Sequence, residues 1–325
     1  MGSGFVSSHL RRIVAAAGFA VVALTLSTAH AQVARLEILS IPSTTLSDEQ
    51  FLTGEKEGKP VALGAELRLP RPGTARLPAV VLLHGSGGIG GAVVNWAQFF
   101  NEMGVATLVV DSFTARGISN TVTDQAQLGR LAMTVDAYRA LEVLAKHPRI
   151  DPTRIAVMGF SRGAQPALYA SMKRFQGDYA PAGREFAAYI AFYAPCGTRY
   201  GEDDDVSDHP IRLFHGSADD YNPVAPCRAY LERLRAAKKD VRLTEYAGAA
   251  HVFDEPALSR PFRLDKAQTT RTEGRNGVIL NAKTYKPFSY ADPCVEYGPT
   301  IAFDEKAYAA SRKAVAELVT EVLRP

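Results

Sequence analysis

Ser161 lies between Gly159 and Gly163 in the segment GFSRG, which fits the pattern G-x-S-x-G. The apolar run RIAVM precedes this pattern, and the helix-like segment AQPALYASMK follows it. Such a strand–turn–helix context indicates a nucleophile elbow, a sharp turn that exposes the serine hydroxyl. The glycines suit the turn because only a residue without a Cβ tolerates backbone so close. A structural serine in a tight turn is the alternative, so the next question is whether the chain supplies a base.

A serine hydroxyl becomes a good nucleophile when a neighbouring base accepts its proton. Behind an elbow the chain order is serine, acid, histidine, which leaves His209, His215 and His251 of the seven histidines as candidates. His209 lies in a polar loop, and His215 still needs an acid between itself and Ser161. His251 follows the last predicted strand in YAGAAHVF, where small residues leave an imidazole free to reach a serine. We therefore predict that His251 is the base.

The acid is expected in the segment LFHGSADDYNP, which combines a strand end, a turn at Gly216 and then Asp219 and Asp220. An acid at this place would hold the imidazole in the correct tautomer and stabilise the imidazolium. On this reasoning both aspartates remain candidates. The acidic run EDDD at 202–205 lacks the glycine and the terminal glutamate of a calcium loop. We interpret it as a solvated loop, and we predict neither a metal site nor a cofactor.

Two backbone N–H groups are needed to stabilise the oxyanion that forms during acyl transfer. Arg162, directly after the nucleophile, is predicted to supply one of them. The other should come from the segment HGSGG, which follows the apolar run AVVLL and presents backbone without side-chain bulk. Ser86 or Gly87 would be that donor.

The same glycine-rich segment permits a different function. Its residues 85–90 fit G-x-G-x-x-G, and Asp111 follows at about the spacing of a ribose-binding acid. A dinucleotide-dependent oxidoreductase is therefore an alternative. Against it, at least one predicted strand precedes the segment, whereas this fingerprint usually opens its fold.

The elements that must position these residues alternate between short apolar runs and helix-length amphipathic segments. Near-continuous apolar runs suit strands covered by helices on both faces, so we predict an α/β fold with a mostly parallel sheet. The predicted strands are 61–70, 79–83, 105–110, 154–160, 187–194, 211–214 and 241–248, and the predicted helices lie near 95–103, 124–146, 162–174, 223–238 and 305–323. The charged, turn-rich stretch 255–303 is interpreted as a surface excursion from a single domain, residues 32–325.

Composition and the amino-terminal segment bear on where the protein acts. The 37 basic and 34 acidic residues nearly cancel, so nothing indicates a nucleic-acid partner. Residues 1–31 combine two arginines, the apolar run IVAAAGFAVVALTLS and an A-x-A site, as secretory signal peptides do. We predict cleavage after Ala31 and an exported mature chain, periplasmic or extracellular, without stable membrane association. An uncleaved anchor is the alternative, and the export route and the oligomeric state stay open.

Five segments in the order HGSGG, DSFTARG, GFSRG, HGSADDYNP and YAGAAHVFD resemble the dienelactone hydrolase branch of the α/β-hydrolases, from about residue 40 to the C-terminus. The resemblance implies an eight-stranded sheet and a triad of Ser161, Asp219 and His251, since it places the acid three residues after the glycine of HGSAD. The namesake enzymes carry a cysteine where this chain has Ser161. Ordinary carboxylic esters or other lactones are therefore the expected small-molecule substrates.

The predicted function is thus a secreted serine hydrolase working by acyl transfer. Ser161 attacks the ester, His251 moves the proton, Asp219 orients the imidazole, and water releases the acid. A non-catalytic binding protein on the same fold is the alternative. Arg116, in DSFTARG, is expected near the site, where it would meet a substrate carboxylate or form a structural salt bridge.

Three cysteines lie in the part of the chain predicted to be exported, where one disulfide can form. In the implied fold the strands before Cys196 and Cys227 are neighbours, so both cysteines fall on the carboxyl edge of the sheet. We predict that these two are paired. Three buried thiols are the alternative, and Cys294 lies in the excursion.

Overall fold

The computed structural model describes residues 1–2, 33–269, 272–275, 278–281 and 283–324. Apart from residues 1 and 2, the predicted signal peptide lies outside the described residues. Every element named below belongs to one compact unit, residues 31–325. In the described part of the chain, no helix combines the length and the apolar character needed to cross a lipid bilayer.

Eight strands form the central sheet. They are β1 (Arg35–Thr45), β2 (Lys59–Leu69), β3 (Leu77–Leu83), β4 (Ala106–Asp111), β5 (Ile150–Phe160), β6 (Tyr189–Phe192), β7 (Ile211–Gly216) and β8 (Val241–Tyr246). Their spatial order is β1-β2-β4-β3-β5-β6-β7-β8. The pairs β1–β2 and β2–β4 are antiparallel, and all the others are parallel. The sequence did not predict β1, an edge strand on which Leu36 and Ile38 are exposed.

Helices cover both faces of this sheet. They are α1 (Asp48–Leu52), α2 (Gly91–Glu102), α3 (Ala132–Lys146), α4 (Ala164–Tyr169), α5 (Lys173–Tyr179), α6 (Ala225–Ala236) and α7 (Glu305–Val322). Alternate residues of β3 enter opposite cores: Val81 packs in the core that includes α3 to α6, and Val80 in the core that includes α2 and α7. The predicted α/β architecture is confirmed. The helix predicted over 162–174 is instead divided, with α4 and α5 separated by a short turn.

The stretch 255–303 is more than a surface excursion. It forms the short strands β9 (Phe262–Arg263), β10 (Gln268–Thr269), β11 (Thr272–Arg275), β12 (Val278–Asn281), β13 (Glu296–Tyr297) and β14 (Thr300–Ile301). Gln268 donates its backbone N–H to Val122 O at 3.2 Å, and its side-chain oxygen accepts from Gln125 N at 2.9 Å. A backbone bridge also joins Ile301 to His251. These contacts bring the stretch against the loops that carry the candidate site, which corrects the sequence interpretation.

The predicted cysteine pairing is confirmed. Cys196 and Cys227 form a disulfide with their Cα atoms 5.0 Å apart. The reason is the order of the sheet: β6 and β7 are parallel neighbours, so the loop after β6 meets the first turn of α6, which follows β7. Cys294 is a buried free thiol.

Candidate active site

Ser161 stands in a strained turn between β5 and α4. Its φ of 51° is in the left-handed region, which side-chain-bearing residues seldom adopt and which is often found at functional sites. A Cβ on Gly159 would lie 1.9 Å from Gly163 O, and a Cβ on Gly163 would lie 2.3 Å from Leu83 O. Both positions therefore exclude any other residue, and the turn has the form of a nucleophile elbow.

The structure brings together the three residues that the resemblance selects. His251 Nε2 lies 2.9 Å from Ser161 Oγ, and His251 Nδ1 lies 2.7 Å from Asp219 Oδ2. Because a carboxylate only accepts hydrogen bonds, Nδ1 must carry the ring proton. Nε2 is then free to accept the serine proton, which is the arrangement that general-base activation of a hydroxyl requires.

Asp219 is held in place by its own loop. Its Oδ1 accepts from the backbone N–H groups of Tyr221 at 2.9 Å and Asn222 at 2.8 Å. Burial opposes ionisation, but the charge of His251 and the hydrogen bonds from His215 and His251 outweigh it, so the pKa of Asp219 lies well below its ordinary value. Asp219 is therefore a carboxylate at neutral pH and can stabilise an imidazolium. Asp220 instead accepts from Thr300 N at 2.8 Å, so the geometry separates the two candidates.

His215, one of the histidines considered as the base, lies behind the acid. Its Nε2 is 2.7 Å from Asn222 O and 3.4 Å from Asp219 Oδ2. A carbonyl can only accept, so Nε2 carries a proton that points at the Asp219 loop. His215 is fully buried. It supports the acid, a role that the sequence analysis missed because its pattern gave no sign of it.

The loop after β3 touches the nucleophile and has a fixed backbone orientation. A Cβ on Gly85 would be 3.4 Å from Ser161 Cβ. Gly85 O accepts from His84 Nδ1 at 2.8 Å, while His84 Nε2 accepts from Ser112 N at 3.2 Å. Burial lowers the pKa of His84, which keeps the ring neutral as this pattern requires. In a trans peptide the C=O and N–H point in opposite directions, so the Ser86 N–H points away from His84. Ser86 or Gly87 therefore remains the predicted second oxyanion donor.

Arg116 does not reach the site. Its guanidinium forms two contacts with the Asp136 carboxylate, at 2.7 and 2.9 Å, and it also donates to Thr45 Oγ1 and Ser112 O. Both side chains of the ion pair are buried. Of the two roles considered for Arg116, the structural salt bridge is present and the contact with a substrate carboxylate is wrong.

The glycines of residues 85–90 are also part of this site and not of a dinucleotide site. Their loop follows the third strand of the chain and lies against Ser161. The Asp111 carboxylate, expected to bind a ribose in that alternative, accepts from Phe113 N and Thr114 N at 2.9 Å each and so caps a turn. The oxidoreductase alternative is not supported.

Two cavities meet at Ser161, and Ser86 and Tyr221 also line both of them. One, the polar cavity, has a volume of about 50 Å³ and is lined by Gln125, Arg130, Arg162, Gln165, Gln268 and Tyr290 among others. The other, the apolar cavity, has a volume of about 270 Å³ and is lined by Val93, Val122, Phe160, Val252, Leu264 and Ile301 among others. The stretch 255–303 supplies walls to both. Sequence reasoning identified none of these lining side chains except Arg162, for which it considered only the backbone.

Comparison with known proteins identifies the family and the fold. The model of the dienelactone hydrolase family matches residues 66–273. No curated protein matches the sequence. Among solved structures, a dienelactone hydrolase-like promiscuous phosphotriesterase from metagenomic libraries is 17% identical with a TM-score of 0.55, over 88% of this chain and 98% of that one. Thermogutta terrifontis esterase 2, phosphorylated by paraoxon, is 18% identical with a TM-score of 0.54, over 90% of this chain and 95% of that one. At these identities the two structures show a shared fold.

Proposed function

The chain belongs to the dienelactone hydrolase family, and we propose that it is a serine hydrolase that cleaves carboxylic esters or lactones by acyl transfer through Ser161. One observation carries the proposal: the continuous hydrogen-bonded chain from Asp219 through His251 to Ser161, with distances of 2.7 and 2.9 Å. A binding protein without turnover would have no need of this alignment.

In the proposed reaction Ser161 Oγ attacks the carbonyl carbon while its proton passes to His251 Nε2. The carbonyl oxygen becomes an oxyanion, which the backbone N–H groups of Arg162 and of Ser86 or Gly87 stabilise. The imidazolium then protonates the leaving alcohol oxygen as the C–O bond breaks, which leaves an acyl group on Ser161. Water attacks this acyl-enzyme with His251 again as the base, and the carboxylic acid is released. Asp219 holds the ring and its charge throughout.

Covalent labelling tests this role directly. Thermogutta terrifontis esterase 2 shares the fold and is phosphorylated by paraoxon, so paraoxon is a suitable probe. We expect paraoxon to modify the wild-type protein at one site, and Ser161→Ala to prevent the modification. Ser259→Ala, at an exposed serine, is the matched control and should be labelled like the wild type. Labelling that persists in Ser161→Ala, or a wild-type protein that neither reacts nor hydrolyses any ester, would refute the proposal.

The proposal includes export. Residues 1–31 have the sequence pattern of a signal peptide, and the Cys196–Cys227 disulfide supports this because such bonds persist in oxidising compartments. We expect the mature protein to begin at Gln32. Amino-terminal sequencing of protein recovered from the expressing cells tests the cleavage, and a product that retains residues 1–31 in the membrane would contradict it.

A further inference from the structure

We propose that the substrate is an ester of a short acyl group that carries its own carboxylate with an apolar alcohol, as in a monoester of a small dicarboxylic acid. This inference rests on the proposed acyl transfer through Ser161 and assigns each half of the substrate to one cavity. Three observations support it: the two cavities that meet at the nucleophile, the position of His251, and the buried arginines of the polar cavity.

The cavities define two directions in which a substrate can extend. Ser161 lines both, and so do Ser86 and Tyr221. The carbonyl carbon of a bound ester must lie next to Ser161 Oγ, with its oxygen towards the oxyanion donors. The acyl chain and the alcohol must then leave this point in different directions, one into each cavity.

His251 decides which half occupies which cavity. The leaving oxygen must be within hydrogen-bond reach of His251 Nε2, since that atom returns the proton to it. Among the described residues, His251 lines the apolar cavity and does not line the polar one. The alcohol therefore occupies the apolar cavity, and the acyl chain extends into the polar cavity.

The polar cavity is suited to an anion. Arg162 is buried, and its guanidinium donates to Gln125 Oε1 at 2.6 Å and to the backbone oxygens of Gln125 and Gly129 at 3.3 Å each. These acceptors are neutral, and within the described part of the chain no carboxylate forms an ion pair with Arg162. The Asp48 carboxylate attracts Arg162 without forming an ion pair with it. A buried cation with no carboxylate in direct contact is unfavourable, so an anion bound beside it gains a strong, charge-assisted interaction.

Arg130 adds a second positive charge to the same cavity. It is buried, donates from Nε to Tyr290 OH at 3.1 Å, and lies over the rings of Phe288 and Tyr290 at 5.4 and 5.5 Å. The two arginines come from different segments of the chain. Burial is the main cause that lowers the pKa of Arg162 below its ordinary value; Coulomb repulsion from Arg130 adds to this effect, and attraction to Asp48 opposes it. A carboxylate between them would relieve that repulsion.

The volumes limit the size of each half. The polar cavity of about 50 Å³ holds roughly four water-sized groups, which matches a methylene and a carboxylate beyond the scissile carbonyl. The apolar cavity of about 270 Å³ accepts an alcohol of several carbons. Each methylene added to that alcohol is expected to raise kcat/KM about fourfold until the cavity is full.

A matched pair of esters tests the proposal. Hexyl hydrogen malonate carries the carboxylate on its acyl side, and hexyl acetoacetate replaces one carboxylate oxygen with a methyl group of similar size. We expect kcat/KM for the malonate to exceed that for the acetoacetate roughly 10- to 100-fold, the range of a charge-assisted hydrogen bond. A third ester, the acetate of 6-hydroxyhexanoate, carries the carboxylate on the alcohol side and should be a poorer substrate than hexyl acetate.

Variants assign the preference to the arginines. Arg130→Gln and Arg162→Gln should each bring the malonate-to-acetoacetate ratio towards one, and Arg130→Lys, which keeps the charge, should preserve more of it. Arg139→Gln on the outer part of α3 removes one positive charge elsewhere and should leave the ratio as in the wild type. Paraoxon labelling of each variant checks that it has folded.

The outcomes separate this inference from the proposed function. A wild-type protein that is labelled and hydrolyses both hexyl esters equally would overturn the inference alone, even if no variant folds. A preference for the 6-hydroxyhexanoate ester would overturn the assignment of the two cavities. Hydrolysis that survives Ser161→Ala would instead refute the proposed function.

Discussion

Removing the Cys196–Cys227 disulfide is expected to lower the free energy of unfolding substantially and to leave kcat nearly unchanged. The bond joins residues 31 positions apart. On the chain-entropy model a loop of this length contributes about 4 kcal/mol to the free energy of unfolding at 25 °C. For a domain of residues 31–325 that corresponds to a fall in Tm of about 6 °C. Catalysis should survive because Asp219 is oriented by backbone N–H groups within its own loop, and Asn222 Nδ2 anchors that loop to Tyr193 O at 2.8 Å.

The assay is urea unfolding of a Cys196→Ala/Cys227→Ala double variant, followed through the emission of Trp96, the single and fully buried tryptophan. Cys294→Ala is the matched control, because it also removes a buried sulfur but no cross-link. Initial rates measured well below the unfolding transition report on catalysis. A loss of less than about 1 kcal/mol relative to the control would refute the loop-entropy reasoning. A kcat reduced tenfold or more in the folded variant would show that the bond, and not the loop, orients the acid.

Three further predictions concern the acid, a buried carboxyl and the elbow. Asp219→Asn should lower kcat by about 10⁴ through the wrong histidine tautomer, whereas Asp220→Asn should stay within about threefold of the wild type in initial-rate assays, because its carboxylate only accepts from a loop N–H. Burial raises the pKa of Asp254 from 3.8 to about 6. Since the folded-state pKa is raised, the contribution of Asp254 to stability is fully present below about pH 4, and about 3 kcal/mol is lost as the pH rises through 6. Urea unfolding across this pH range should show the decrease in the free energy of unfolding, and Asp254→Asn should remove this pH dependence. Gly163→Ala should prevent paraoxon labelling and destabilise the fold, since its Cβ would lie 2.3 Å from a carbonyl of β3. Gly177→Ala is the control: nothing lies within 4 Å of its Cβ, so it should be labelled like the wild type and should leave the stability unchanged or raise it.

Ser161 could be located from the sequence because its role is fixed by local geometry. A tight turn from strand to helix admits only glycine at positions 159 and 163, and that requirement is visible in five consecutive residues. Arg116 illustrates the opposite case. Its partner Asp136 lies 20 positions away on another element, and a pattern around Arg116 cannot indicate which carboxylate packing will bring to it. Strand β1 was missed for a different reason. It lies at the edge of the sheet, and its apolar side chains partly face solvent, so it lacks the near-continuous buried apolar run that identified other strands.

The side chains that line the two cavities could not be predicted because the contacts that position them join distant parts of the chain. Gln125 illustrates it: its side chain accepts from Arg162 at 2.6 Å, donates to Ser86 Oγ at 3.0 Å, and its backbone N–H donates to Gln268 at 2.9 Å. Four segments far apart in the chain meet at this residue, and no local sequence pattern indicates that they are in contact.

Backbone strain in the apolar cavity shows how the fold supports such an arrangement. Ser161, Tyr193 and Val252 all line this cavity, and their φ angles of 51°, 42° and 60° lie in the left-handed region. Each such conformation costs on the order of 1–3 kcal/mol and persists only where surrounding contacts enforce it. Asp254 provides one of them, since its Oδ1 accepts from Tyr193 OH at 2.8 Å while the Tyr193 ring lies against His251 at 4.6 Å. A tyrosine or a valine in a left-handed turn contradicts local propensity, so the sequence around it predicts the wrong backbone. The surface next to His251 is therefore set by tertiary contacts that oppose local preference, and this explains why a motif can locate the reacting atoms while the shape of the substrate cavity requires the folded chain.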